Sequence, residues 1–498
     1  MVDSLRELWL RGLAFNPAAP SDLLIRLLDQ GGEIGLEMCQ ERALPDAVID
    51  AALSHPAVAV RGALARNLHI DPMRLIPLAT DRSSLVRAYL ARGNDSTLDW
   101  GPQMLRRIRP LPDDILIALL TAKEPAEDGI LSINDILGEL AASRHHTPVF
   151  EASLAGREQP ELRIRATWHW EKLTPQERVR LLDDPDPAVR EAAREHSWTL
   201  DPERVEARLS SYRPRNRAFI YRSYALSQAL VEQCFADGWE EELTHNPHAP
   251  ASALARLAHH PDAWIRARIA LRPDLEPDLI PVLAADADEK VRLCARLRSF
   301  CGTWVEYETL LDATEHGANC TCPFTEPARR PSSDWYAACA ASQEPVLRRA
   351  AARWPALPGP LVTQLAQDTD EQVRIRLACY HPHAPSQLLL DVFLTRPSHR
   401  PHLLTLPHFP TTGLAHLIDD PAPEVRVLAA ADPALATPPV HDPDDHVRRA
   451  ASANPGLPPH ILETLLSDPR TAQGAATNPA LTTSRMHALL DDCLHAGE

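Results

Sequence analysis

Between Asn246 and Arg298 the chain states one pattern twice. NPHAPASALARLAHHPDAWIRARIA is followed by LRPDLEPDLIPVLAADADEKVRLCARLR. Each half has a Pro-containing turn, a short Leu-rich run, a polar Asp or His, and a Val/Ile-Arg pair. Ile265-Arg266 and Val291-Arg292 stand 26 residues apart. A unit this short has too little apolar surface to fold alone, so its repetition reads as one layer of a stack.

The arginine of that pair works as a ruler along the chain. It falls at Arg61, Arg87, Arg190, Arg266, Arg292, Arg348, Arg374, Arg400, Arg426 and Arg448. A second ruler is the turn six residues later, at Asn67, Arg272 and Asn454, with equivalent Asn-Pro turns at Asn16, Asn246 and Asn478. Counting degenerate copies, about 17 units of 22–27 residues fit. Each unit predicts two short helices. Pro20-Ser21-Asp22 opens a run with an apolar stripe at Leu23, Leu24, Leu27 and Leu28, and Ile461, Leu462, Leu465 and Leu466 repeat it. The second helix is expected to start at an Asp-Pro, as at Asp184-Pro185, Asp420-Pro421, Asp442-Pro443 and Asp468-Pro469, with Asp as N-cap. It spans only about eight residues, short enough to be partly 3₁₀. Helices of that length are marginal alone, so stacking must hold them.

The residues NPxxP–LLxxL–DPxxxVRxxxA resemble the leucine-rich repeat variant family, which is related to HEAT-type α-solenoids. The resemblance is clearest at 16–93, 164–298 and 341–490. It implies an all-α, right-handed α-solenoid of alternating α and 3₁₀ helices, and no catalytic residues. Some members carry a cysteine-rich iron–sulfur segment before the repeats; this N-terminus has only Cys39. The expected organisation is an N-terminal cap and repeats at 1–95, with Leu5, Leu8, Trp9 and Leu13 on one side of the capping helix. Degenerate repeats follow at 96–160, regular repeats at 161–298, a cysteine-bearing insertion at 299–340, and C-terminal repeats at 341–498. An insertion within one repeat usually maps to a loop on one face.

Composition narrows the function. The 47 prolines are about twice the usual share and the 18 glycines about half, which argues against disorder and against a Gly-loop nucleotide enzyme. No apolar run reaches the ~18 residues of a membrane span. Nothing in MVDSLRELWLRGLAFNP reads as a signal peptide, and the nine unevenly spread cysteines fit free thiols in the cytoplasm. A net charge of −17 disfavours non-specific nucleic-acid binding. GxSxG, Walker and HExxH patterns are missing, so no catalytic residue is assigned.

Three features compete for a functional reading. The arginines Arg61, Arg87, Arg190, Arg266, Arg292, Arg374, Arg426 and Arg448 could line a groove. Their fixed register with a core Val favours a structural ladder, each bonding an Asp or carbonyls of a neighbouring unit. Cys301, Cys320, Cys322 and Cys339 could hold structural zinc, or iron–sulfur, though ordinary buried thiols explain them as well. The segment Arg208, Tyr212, Arg213, Arg215, Arg217, Tyr221 and Arg222 interleaves arginines with aromatics, as single-stranded nucleic acid or a phosphorylated partner would require, though an atypical repeat with core aromatics and solvated arginines explains it as well. His55, His248, His260 and His383 fall on turn or helix-start positions, where capping is the simpler role. The resulting expectation is a non-enzymatic scaffold that binds a protein or peptide on its curved face. The alternatives are a nucleic-acid-binding solenoid of DNA-glycosylase type and a metal- or redox-linked regulator.

Overall fold

The computed structural model describes residues 2–30, 32–93, 111–122, 127–143, 148–209, 214–315, 331–406 and 408–494. Among these the secondary structure is entirely helical, in short pieces: the longest helix, Val2–Phe15, has 14 residues. No helix among the described residues is long and apolar enough to cross a membrane. The chain divides into two compact units, residues 1–146 with 389–498, and residues 147–388.

Within each unit, successive helices of similar pattern stack on one another. In the first, Gly32–Glu41 packs on Val58–Ala65, and Val58–Ala65 on Ser84–Arg92; Pro423–Ala431 packs on Asp445–Ser452, and Asp445–Ser452 on Ala472–Thr477. In the second, Pro160–Thr167 packs on Pro187–His196, Ala263–Leu271 on Glu289–Leu297, and Pro345–Ala352 on Glu371–Tyr380. The apolar stripes read from the sequence are the packing faces: Leu23, Leu24, Leu27, Leu28, Leu462, Leu465 and Leu466 are all buried. 3₁₀ pieces such as Pro72–Thr80 and Glu240–His245 occur in the units, while the stacked helices are α-helical over eight to ten residues at Val58–Ala65, Pro187–His196 and Ala263–Leu271, close to the expected eight. Their content of Ala, Leu and Arg, all strong helix formers, accounts for this.

The helix starts sit two residues later than expected. Asp186, not Asp184, caps Pro187–His196, accepting from the N–H groups of Ala188 and Val189; Asp444, not Asp442, caps Asp445–Ser452. Asp184 and Asp442 instead accept the N–H two residues on, at 2.9 Å in both cases, which makes the turn into the helix. His55 and His260 make the same turn through Nδ1, accepting from Ala57 and Asp262 at 3.1 Å.

Two hydrogen-bond series bind layer to layer. In the first, Arg61 clasps Asp81 through Nε and Nη2 while its Nη1 donates to the carbonyls of His55 and Pro56. Arg163 with Asp184, Arg266 with Asp286, Arg348 with Asp368 and Arg426 with Asp442 repeat this clasp. Arg190, Arg292, Arg374 and Arg448 keep the carbonyl contacts, to Asp184, Asp286, Asp368 and Asp442 respectively, and Arg87 donates to the Asp81 carbonyl. Arg400 falls on the ruler but not in this series, donating to the Phe393 carbonyl near the start of Arg400–Leu403.

The second series is buried. Each turn asparagine donates from Nδ2 to two carbonyls of the preceding layer: Asn67 to Cys39 and Arg42, Asn246 to Tyr221 and Tyr224, Asn454 to Ala430 and Asp432, Asn478 to Ser452 and Asn454. Arg272 replaces asparagine, and its guanidinium reaches the carbonyls of Leu243, Thr244 and Asn246.

Two expectations change. Val2–Phe15 is not a cap with one side bare: it packs on Gly32–Glu41 and also on Ala472–Thr477. The 299–340 segment is not simply a loop, since Trp304–Glu315 and Ser333–Ala340 are helices, the first packed on Ala263–Leu271 and Pro345–Ala352. An amphiphilic run with Tyr307, Leu310, Leu311 and Ala313 buried makes it a packing element.

Candidate functional site around Trp304–Glu315

Ala263–Leu271 begins at Asp262, whose carboxylate accepts the Trp264 N–H at 2.8 Å. Ile265, Ile269 and Leu271 fill the core, and Arg266 joins the outer clasp. Arg268, two residues on, projects to a different side because each helical residue rotates by about 100°. It is buried, lies 3.4 Å under the Trp264 ring centroid, and forks onto Glu315 at 2.6 and 3.0 Å. Its third nitrogen donates to Glu241 at 3.3 Å and to Nε2 of His245 at 2.8 Å. His245 must therefore present a neutral ring with Nε2 as acceptor. Burial lowers its pKa to about 3, and Arg222, Arg268 and Arg272 push the same way.

One turn further, fully buried Arg272 is neutralised by Asp274 and stacked at 4.6 Å by Trp304. The Tyr307 hydroxyl donates to the Thr244 carbonyl at 3.0 Å, fixing the helix against this layer. At the other flank, Arg353 and Arg376 both reach Asp312, the second at 3.6 Å, and Arg353 lies over the Tyr380 ring at 4.6 Å. Burial lowers the Arg353 pKa to about 10, helped by the Arg376 charge.

Beside this framework stands a group of charged side chains. Glu308 is exposed, and desolvation by surrounding protein raises its carboxyl pKa against the opposing pull of Arg222 and Lys172. Glu242 is likewise raised by desolvation and lies 3.5 Å from Arg222. Arg222 thus acts on both Glu242 and Glu308, and Lys172 acts on Glu308.

The basic segment proposed from sequence divides. Arg222 belongs to the charged group with Glu242 and Glu308. Tyr221 does not: it is fully buried with its hydroxyl on Asp237, so it is core. Arg217 pairs with Asp237 at 3.7 Å, and Arg208 lies over the Trp198 ring at 4.6 Å. Tyr212 and Arg213 lie outside the described residues, and Arg215 is described only as part of Pro214–Ser223. Of the cysteines, Cys301 and Cys339 are buried thiols whose pKa is pushed up to about 12 by desolvation. Cys320 and Cys322 lie outside the described residues, and no metal-binding group of three His, Cys, Asp or Glu occurs among those described.

The residues missed had a signal. Arg268 and Arg376 stand two places after the ruler arginine, where other copies have Ala63, Cys294, Ala350 and Ala450. Both reach acids on Trp304–Glu315, so the break in the repeat rule marked the helix that the arginines hold.

No family model and no curated protein matches the chain. Among solved structures, the crystal structure of an engineered protein aligns over 95% of this chain and 98% of its own at 14% identity, with a TM-score of 0.14, too low to carry an argument.

Proposed function

We propose that this protein is an α-solenoid of the leucine-rich repeat variant type, with about 17 layers in a right-handed superhelix, and that it acts in the cytoplasm as a binding scaffold. Its ligand is a peptide or protein segment with a basic and an apolar side chain, taken up beside Trp304–Glu315. The observation that carries this is the charged group in which Arg222 lies 3.5 Å from half-buried Glu242 and also acts, with Lys172, on exposed Glu308. A partner cation would gain more from such a carboxylate than from one in bulk water. Carboxylates interleaved with Lys172 and Arg222 count against a phosphate backbone as ligand. The buried thiols Cys39, Cys234, Cys294 and Cys301 fit a reducing compartment.

The test is a peptide array probed with the purified protein and with Glu308→Lys. Wild type should select peptides with Lys or Arg beside an aromatic or aliphatic residue. The variant should lose them at least tenfold while its Tm stays unchanged. Undiminished binding by the variant would overturn the assignment.

A further inference from the structure

The junction between the two ends of the chain is built like an interior one. Asn16 donates from Nδ2 to the carbonyls of Ala476 and Asn478, both at 2.8 Å. Asn478 in turn reaches Ser452 and Asn454, and Asn454 reaches Ala430 and Asp432. In all three cases the acceptors are the preceding turn residue and the residue two before it. The second observation is independent. A Cβ on Gly474, four residues before Asn478, would collide with the Arg449 carbonyl oxygen and the Ser452 Cβ. A Cβ on Gly12, four before Asn16, would collide with the Gln473 carbonyl oxygen and the Ala476 Cβ. These obstacles occupy the same places, five and two residues before Asn454 in one junction and before Asn478 in the other.

The flanking contacts agree. Ser21–Gln30 packs on Thr483–Leu494, with Arg26 on Asp491 at 2.6 Å and Asp22 on His487 at 3.4 Å. Trp9 Nε1 donates to the Leu466 carbonyl at 2.9 Å, and Thr477 Oγ1 donates to the Gly12 carbonyl at 3.3 Å. Beyond Asn16 the buried series continues: Arg42 donates to the Ala14 carbonyl, and Asn67 to Cys39 and Arg42.

We infer that the first helical pair is the layer that follows the last, so the chain ends form an intramolecular clasp with the geometry of an interior junction. A stack of helical pairs ordinarily leaves one apolar face bare at each end and must cap it with polar residues. Here each end covers the other. The chain's own opposite end, held at high effective concentration, occupies the surface a second copy would otherwise use for end-to-end association.

Two variants test this together. The first is a circular permutant that joins Glu498 to Met1 by a short Gly-Ser linker and opens the chain between exposed Thr411 and Thr412. It should fold as a monomer with Tm within about 2 °C of the parent. Failure to fold, or end-to-end oligomers, would overturn the clasp. The second is Gly12→Val, read by hydrogen exchange against Gly138→Val, where a Cβ meets nothing within 4 Å. Gly12→Val should speed exchange at least tenfold in Ala472–Thr477 and Thr483–Leu494, at the far end of the sequence, and Gly138→Val should not. Unchanged protection of those helices would contradict the inference. If Gly12→Val unfolds the whole chain, the permutant decides.

Discussion

Asp432 and Asn454 occupy the same place in successive layers, yet one carries a carboxylate and the other a carboxamide. Asn454 faces two carbonyls, those of Ala430 and Asp432, and meets them with its NH₂ group. Asp432 faces the N–H groups of Leu414 and Ala415, at 2.6 and 3.0 Å, and meets them with one carboxylate oxygen. Each uses its remaining oxygen on the N–H two residues on, Ala434 or Gly456. The polarity of the socket, donor or acceptor, thus decides the residue. Arg272 extends the rule: its socket has three carbonyls, and a guanidinium with five N–H donors fills it.

The largest effect should come from emptying the socket that holds a charge. Arg272→Met would remove one donor from each of three buried carbonyls, which keep the Asn246 N–H, the Tyr307 hydroxyl and the Ala249 N–H, and would leave Asp274 without its cation, costing about 3–5 kcal/mol by thermal or denaturant unfolding. A loss below 1 kcal/mol would show that the carbonyls find other partners.

Asp432→Asn should cost about 1–2 kcal/mol, because an amide cannot accept on both of its heavy atoms. Its pH dependence sharpens the comparison. Burial pushes the Asp432 pKa up, but backbone N–H groups of Ala434, Leu414, Ala415 and Gly413 outweigh it and hold the value below normal. The carboxylate's stabilisation is therefore complete above the ordinary carboxyl pKa and fades as pH falls through the lower folded value. The gap in stability between parent and variant should close over that acid range.

Asp286 belongs to the outer clasp and is more open to water. Arg266 first, and the Asp288 N–H with it, lower its pKa to about 2. The stabilisation is present above the ordinary value of 3.8 and is lost as pH falls toward about 2. Asp286→Asn should cost on the order of 1 kcal/mol at neutral pH after solvent screening, and nothing near pH 2. Smallest of all should be Arg485→Ala. It breaks a pair with Glu463 whose two side chains are 36% and 55% exposed, for less than about 0.5 kcal/mol in unfolding free energy. A larger loss there would mean that surface pairs, and not buried sockets, set the stacking energy.

Much of this was legible in the sequence, and the part that was not has a physical reason. The period, the Leu stripes and the asparagine turns follow from local spacing, and they are the packing faces and socket residues of the structure. The arginine ruler carried the clasp residues but included Arg400, because a Val-Arg-like spacing does not reveal which carbonyls lie nearby. Arg163 was overlooked because a Leu precedes it. The Asp-Pro pairs were placed as caps because both Asp184 and Asp186 suit an N-cap, and only three-dimensional context decides between them. The charged group was hidden for a further reason. Lys172, Arg222 and Glu308 are far apart in sequence, and only stacking brings their charges together. Contact between Asn16 and Asn478 has no local signature at all.

The central claim is that a side-chain amide, oriented by socket polarity, holds each layer to the next. Asn454→Asp tests it with almost no change in shape. Measured by thermal unfolding across pH, the account predicts a loss of about 2–4 kcal/mol at pH 7, where a carboxylate oxygen would face the carbonyls of Ala430 and Asp432. Partial recovery is expected on acidification, as the protonated acid regains one donor. A variant as stable as the parent at pH 7 would contradict it.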